Sequence, residues 1–107
     1  MTSFNDLRQA NVARQAEWDP NNKITLEYRG NELAGEVGEA CNVIKKLVRE
    51  RIGIRGSLAT RRQLADELAD VIICVDLIAA AEGIDLDIHI VEKFNATSAK
   101  YNLRTKL

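Results

Sequence analysis

Two short acidic motifs are the residues of this sequence best suited to chemistry. Glu36 and Glu39 form a Glu-x-x-Glu motif, and Glu67 and Asp70 form a Glu-x-x-Asp motif 31 residues further along the chain. On a helix, residues three apart lie on the same face, so each motif presents two carboxylates together. Carboxylates in such an arrangement bind hard divalent cations or act as general bases towards water.

The elements that position these motifs are predicted to be helices. Ala, Leu, Glu, Lys and Arg are abundant, whereas the chain of 107 residues has one Pro and six Gly. This composition favours an all-α fold over a turn-rich β fold, and the length fits a single domain over residues 1–107. Four helices are predicted, at about 4–16, 24–51, 58–82 and 85–101, with Ser3, Ser57 and Asp85 as N-caps of the first, third and fourth.

The second and third predicted helices share one pattern. Apolar and small residues recur in the spacing of a packed helix face: Leu33, Val37, Ala40, Ile44 and Leu47, then Leu64, Leu68, Val71, Val75 and Ile78. The short glycine-containing connection at 53–57 makes the two helices an antiparallel hairpin. Residues equally far along the chain from Gly53 then lie level, which pairs Glu36 with Asp70 and Glu39 with Glu67.

Four carboxylates are therefore expected to converge on one side of a central antiparallel helical hairpin. The carboxylates of such a cluster repel one another unless a cation lies among them. Oxygen ligands alone favour Mg²⁺, for which Mn²⁺ can substitute. A di-iron bundle would show Glu-x-x-His motifs, and the single histidine, His89, belongs to neither acidic motif.

Charge and cysteine content narrow the functional class further. The formal net charge is -1, so no global positive field attracts nucleic acid, and no nucleic-acid partner is predicted. The longest apolar-rich run, at 71–81, is too short to cross a bilayer and contains Asp76, so no membrane association is predicted. Cys41 and Cys74 lie in helical apolar patterns without metal-site spacing, which predicts that both are reduced thiols in the core. A cytoplasmic protein is expected.

The two central motifs resemble a known family. "GEVGEACNVIKK" followed by "ADELADVI" is similar to the MazG-like nucleotide pyrophosphohydrolases of the all-α NTP pyrophosphatase superfamily, whose signature is Glu-Glu-x-x-Glu followed by Glu-x-x-Asp. The resemblance extends from about Trp18 to Tyr101. Gly35 stands where that signature often has its first Glu.

The resemblance implies Mg²⁺-dependent hydrolysis of a nucleoside triphosphate, either an NTP or a dNTP and in some members a non-standard one, to the monophosphate and pyrophosphate. Glu36, Glu39, Glu67 and Asp70 would then be both metal ligands and catalytic residues, and which of them orients the attacking water stays open. An alternative is a non-catalytic module that binds or senses nucleotides through the same metal site, and Gly35 is the reason to keep it. A purely structural helical interaction protein is a third hypothesis.

Further residues are predicted to contact substrate. Lys93 and Asn95 resemble C-terminal phosphate-contacting positions of the family, Tyr101 lies close to them, Lys46 lies near the stripe of Glu39, and Trp18 could stack on a base. Ordinary alternatives exist for all of them: an amphipathic terminal helix with solvated lysines, and a tryptophan in a core or an interface. Gly35, Gly38 and apolar residues on more than one helix face predict that the four-helix arrangement is completed by a neighbouring subunit, in a homodimer or homotetramer.

Overall fold

The computed structural model describes residues 3–107, and over that range every regular element is a helix. Helix α1 spans Phe4–Trp18, α2 spans Leu26–Arg51, α3 spans Arg61–Ala81 and α4 spans Leu86–Lys100. The predicted all-α class is confirmed, and each predicted helix corresponds to an observed one. Among these residues, no helix combines the length and the apolar character that a membrane crossing requires.

Two of the three predicted N-caps are observed. The Ser3 hydroxyl accepts a hydrogen bond from the backbone N–H of Asp6 at 3.2 Å, and the Asp6 carboxylate accepts one from the Ser3 N–H at 3.1 Å. Asp85 accepts from the N–H of Ile88 at 3.3 Å and so begins α4. Each cap satisfies N–H groups that the first helical turn leaves without a partner.

The prediction that Ser57 caps α3 is wrong. Thr60 is the cap, because its hydroxyl accepts from the N–H of Gln63 at 3.1 Å while the Gln63 side chain accepts from the N–H of Thr60 at 2.8 Å. Ser57 has another role, since its carbonyl oxygen accepts from the Arg49 guanidinium at 2.7 Å. A reciprocal capping box outweighs a single upstream serine, so α3 begins three residues later than predicted.

The central hairpin is formed by α2 and α3, which share the most extensive helix contact of the chain. Ala40, Cys74 and Ala79 are its buried apolar residues. Other residues of the predicted packed face are only partly covered, since Val37 is 41% exposed and Leu68 is 49% exposed. The hairpin therefore has one covered side and one open side.

Helix α1 is held on α3 by a buried polar network. The Asp76 carboxylate is fully buried, and it accepts from Nε of Arg8 at 3.1 and 3.3 Å and from Nδ2 of Asn11 at 3.0 Å. Nη2 of Arg8 also donates to the carbonyl oxygen of Ile84 at 2.7 Å. These bonds fix α1 relative to both α3 and the turn that precedes α4.

The turn between α1 and α2 is organised by one carboxylate. Asp19 accepts from the backbone N–H groups of Lys23 at 3.0 Å and Ile24 at 2.9 Å. These two hydrogen bonds lower the pKa of Asp19. They also fix the direction in which the chain leaves Trp18 and enters α2.

The described chain is open for its size. Its Cα radius of gyration is 17.2 Å, whereas a compact domain of this length has a value of about 13 Å. Helix α4 makes its main helix contact with α1, and it leaves Ile88 54% exposed and Phe94 43% exposed. After α4 the chain folds back, so that the Asn95 amide pairs with the backbone N–H and carbonyl of Leu107 at 2.8 and 3.3 Å.

Candidate metal centre and adjoining cleft

The acidic cluster, defined as Glu36, Glu39, Glu67 and Asp70, lies across the two arms of the hairpin. One carboxylate oxygen from each of Glu36, Glu67 and Asp70 falls within 4.8 Å of the others. Glu36 and Glu67 are half-buried, while Glu39 and Asp70 are exposed. The predicted pairing of Glu36 with Asp70 agrees with this group, whereas Glu39, the fourth carboxylate predicted to converge here, lies outside it.

The charges of the cluster act on one another. Burial raises the pKa of Glu36, and the charges of Glu39 and Asp70 raise it further. Burial also raises the pKa of Glu67, followed by a hydrogen-bond contact with Glu39 and the charges of Glu39, Glu36 and Asp70. Glu39 therefore interacts with both half-buried glutamates, although it is outside the tightest group of three.

The negative charge of the cluster has no compensation from a basic side chain within the described range. The ion pairs of residues 3–107 are Arg8–Asp76, Arg29–Glu32, Arg62–Asp66 and His89–Glu92, and none includes a member of the cluster. In addition, Oε2 of Glu36 and Oε2 of Glu67 are buried without a hydrogen-bond partner. Buried carboxylate oxygens are costly unless a cation or a donor satisfies them.

These residues fit a divalent cation with a preference for oxygen ligands. Three carboxylates from two helices can each supply one oxygen, and a bound cation would satisfy the buried oxygens of Glu36 and Glu67 that have no hydrogen-bond partner. An all-carboxylate site suits Mg²⁺ or Mn²⁺ better than Zn²⁺, which favours histidine and cysteine. Cys74 is nearby, but burial followed by the charges of Glu32 and Glu36 raises the pKa of its thiol to about 11, which disfavours the thiolate that binds zinc.

A cleft leads away from the acidic cluster between α1 and α2, with α3 as its floor. The part next to the cluster has a volume of about 320 Å³, and an adjoining cavity towards the 19–26 turn has about 390 Å³. Glu36 and Asp70 stand at one end of the cleft, and the rings of Trp18 and Tyr28 line the same part. An aromatic, partly apolar cleft that ends in carboxylates can hold a flat organic group attached to an anion and its metal ion.

Of the five residues that the sequence predicts to contact substrate, one lines the cleft and four do not. Trp18, at the end of α1, lines the cleft and is 77% exposed. In the part of the chain that the structure describes, the lining of the cleft does not include Lys46, Lys93, Asn95 or Tyr101. Asn95 uses its amide to hold Leu107, and the Tyr101 ring lies 5.4 Å from Nζ of Lys100.

Several residues of the cleft were not found from the sequence. Tyr28 and Arg29 lie on α2 about two turns before Glu36, and Gln15 lies on α1. For α2 a signal existed, because Arg29, Glu32, Glu36 and Glu39 form one stripe with helical spacing. For α1 there was none, since the position of that helix depends on the long-range network around Asp76.

A family model described as the MazG nucleotide pyrophosphohydrolase domain matches residues 25–107. The chain belongs to the MazG family. Comparisons with curated proteins and with solved structures gave no significant match.

Membership of the MazG family accounts for part of the cleft. The matched residues contain α2, α3 and α4, and with them the whole acidic cluster. Helix α1 precedes the match, so Gln15 and Trp18 come from a segment that the MazG model does not cover. The acidic end of the cleft thus lies within the matched residues, whereas its α1 wall lies outside them.

Proposed function

We propose that this protein is a Mg²⁺-dependent nucleoside triphosphate pyrophosphohydrolase. It cleaves an NTP or a dNTP, with non-standard nucleotides included, to the nucleoside monophosphate and pyrophosphate. The observation that carries the proposal is the uncompensated acidic cluster of a MazG-family chain at the end of an aromatic cleft. Mn²⁺ would substitute for Mg²⁺, since both accept the same oxygen ligands.

Each member of the acidic cluster would have a role in the reaction. Glu36, Glu67 and Asp70 would hold the metal through one oxygen each. When bound, the ion would offset the charge of the phosphate chain and lower the pKa of a coordinated water. Glu39, whose charge acts on both half-buried glutamates, would be a fourth ligand of the ion or would accept a hydrogen bond from a water bound to it. A carboxylate oxygen of the cluster that is not bound to the ion accepts the proton of the attacking water.

The cleft would bind the nucleoside half of the substrate. Trp18 would stack on the base, with Tyr28 beside it, because aromatic faces bind bases of any sequence by stacking. Lys46, Lys93, Asn95 and Tyr101 lie outside the cleft of their own chain. We propose that they contact phosphate groups of substrate bound in an assembly of several copies.

The open side of the fold supports such an assembly. Ile44 of α2, Ile72 of α3 and Phe94 of α4 are all more than 40% exposed, and a Cβ atom added at Gly35 or Gly38 would meet no atom within 4 Å. Large apolar side chains left half-exposed on three helices mark a protein interface. The proposed form is a homodimer or homotetramer, located in the cytoplasm, where free thiols such as Cys41 and Cys74 stay reduced.

The test is a panel of canonical and modified NTPs and dNTPs with Mg²⁺, in which pyrophosphate and monophosphate are both measured. We expect equal amounts of the two products from at least one nucleotide, and their loss with EDTA. Glu67→Gln should abolish turnover, whereas Glu50→Gln, a matched change at an exposed carboxylate of α2, should leave it intact. Release of orthophosphate alone, or no product from any nucleotide, would overturn the proposed reaction.

Gly35 favours a second candidate function. It stands where the family signature often has a glutamate, so the chain has one carboxylate fewer near the cluster. A module that binds nucleotide and Mg²⁺ without cleavage is the alternative. Calorimetric binding of a triphosphate that depends on Mg²⁺ and on Glu67, without product formation, would identify it.

A further inference from the structure

Gln15 and Arg29 both lie where the two parts of the cleft join. Both residues line the cavity next to the acidic cluster and also the adjoining cavity. Gln15 comes from α1 and Arg29 from α2, so they face the cleft from its two walls. Neither residue belongs to the acidic cluster.

Both side chains have hydrogen-bond donors to offer at this point. The Arg29 side chain is 8% exposed, and its one ion pair joins Nη1 to Oε1 of Glu32 at 3.0 Å. A guanidinium has five N–H donors and no acceptor, so one contact leaves most of them for other partners. Nε2 of Gln15 is buried without any hydrogen-bond partner, and such a group destabilises the protein until an acceptor reaches it.

The position of these donors suits the base of a nucleotide. Arg29 precedes Glu36 by seven residues, which is about 10.5 Å along a helix. In a nucleoside triphosphate, one sugar separates the phosphate chain from the base, so a phosphate held at the acidic cluster places the base near Arg29. Trp18 and Tyr28 line the same part of the cleft and offer faces for that base.

We propose that Gln15 and Arg29 select nucleobases that present a carbonyl oxygen to the cleft, and so disfavour adenine. This inference rests on the proposed function and names the substrate class for the same site. A carbonyl oxygen accepts from both donors. The exocyclic amine of adenine is itself a donor at the equivalent position, so it offers no acceptor to the Arg29 guanidinium. It pairs with Gln15 only if the amide turns its oxygen to the amine, which leaves Nε2 unpaired.

The experiment compares two triphosphates that differ at this position. Inosine triphosphate carries a carbonyl oxygen where adenosine triphosphate carries an amine. We expect kcat/KM for the inosine compound to exceed that for the adenosine compound by at least about tenfold, the effect of one well-formed hydrogen bond. Gln15→Met, which keeps the length of the side chain and removes its donor, should lower this ratio several-fold, and the preference that remains is due to Arg29.

Gln9→Met is the matched control, because Gln9 is an exposed glutamine of the same helix; it should leave the ratio unchanged. Circular dichroism and Mg²⁺ titration of Gln15→Met should match the wild type, which separates base selection from folding and metal binding. A preference for the adenosine compound, or an unchanged ratio in Gln15→Met, would overturn the inference.

Failure of the proposed function has a different signature. If neither triphosphate is hydrolysed, the affinities of both are measured by calorimetry with Mg²⁺ present. Tighter binding of the inosine compound that depends on Gln15 would then uphold the inference for a binding protein. Equal affinities, or no binding of either compound, would overturn it.

Discussion

Arg8 of α1 and Asp76 of α3 form an ion pair with a bifurcated hydrogen bond, in which Nε of Arg8 lies 3.1 and 3.3 Å from the two carboxylate oxygens. Asp76 is 0% exposed, so the loss of Arg8 would leave a buried charge with Asn11 as its remaining side-chain donor. Removal of one partner from a buried ion pair costs about 3–5 kcal/mol. We expect Arg8→Met to lower the free energy of unfolding by an amount in this range, measured by urea denaturation.

Arg62→Met is the control for that measurement. Arg62 and Asp66 also form an ion pair, at 3.6 Å, but their side chains are 87% and 67% exposed. An exposed pair of this kind contributes about 0–1 kcal/mol. Equal effects of the two substitutions would contradict a structural role for the buried network.

Relative to the wild type, Glu67→Gln should be more stable without metal and less stable with metal. In the metal-free protein, it removes one charge from a cluster whose members repel one another, so we expect the Tm to rise. With excess Mg²⁺ the wild type gains stability by binding, and the variant should gain little. Thermal unfolding with EDTA and with Mg²⁺ measures both effects. A lower metal-free Tm in the variant would show that Glu67 makes a favourable contact within the fold.

The raised pKa values of Glu36 and Glu67 predict how the metal-free protein responds to pH. Both carboxyls bind a proton more tightly in the folded state than in the unfolded state. Their contribution to stability is thus fully present below the ordinary pKa of 4.5 and is lost as the pH rises through the raised values. We expect the stability of the wild type, relative to a Glu36→Gln and Glu67→Gln double variant, to fall over that window.

Thermal unfolding in EDTA at several pH values between the ordinary carboxyl pKa and neutrality gives this difference. The comparison with the double variant removes the contributions of other groups, such as Asp19, whose pKa is lowered and whose effect has the opposite sign. Excess Mg²⁺ should reverse the trend, since it favours the ionised carboxylates. A difference that does not change with pH would contradict the predicted coupling.

The two thiols should differ sharply in reactivity. Cys41 is exposed, so the prediction that it lies in the core is wrong, whereas Cys74 is buried as predicted. Burial raises the pKa of the Cys74 thiol to about 11. Because the thiolate is the reactive form, we expect an alkylating reagent to modify Cys41 quickly and Cys74 only after unfolding. Mass spectrometry of peptides counts the modified sites. Fast labelling of Cys74 in a Cys41→Ser variant would show that the floor of the cleft is open.

Local patterns predicted much of the fold and the acidic end of the site. Helical spacing and the short turn around Gly53 were sufficient to bring Glu36, Glu67 and Asp70 together, because an antiparallel hairpin leaves little freedom in register. The start of α3 was also readable from the sequence, since Thr60 and Gln63 have the spacing of a capping box, which is a stronger signal than the lone Ser57.

The cleft could not be predicted in the same way. Its α1 wall is placed by contacts between Arg8 and Asp76, which are 68 residues apart, and no periodicity links such distant polar residues. Asp76 looked like an interruption of the apolar run at 71–81, although it is the fully buried centre of that network. Gln15 and Arg29 became recognisable as neighbours only when both walls were in place.

The division of the acidic cluster between α2 and α3 has a consequence for motion as well as for chemistry. An ion bound by both arms would resist their separation, so the hairpin could open only after the ion had left. Backbone amides in the helical turns around Glu36 and Glu67 should then exchange their hydrogens with solvent more slowly in the protein with bound metal ion than in the metal-free protein. The ion that neutralises the phosphates would also hold α2 against α3. Substrate would therefore bind to a hairpin that is already rigid.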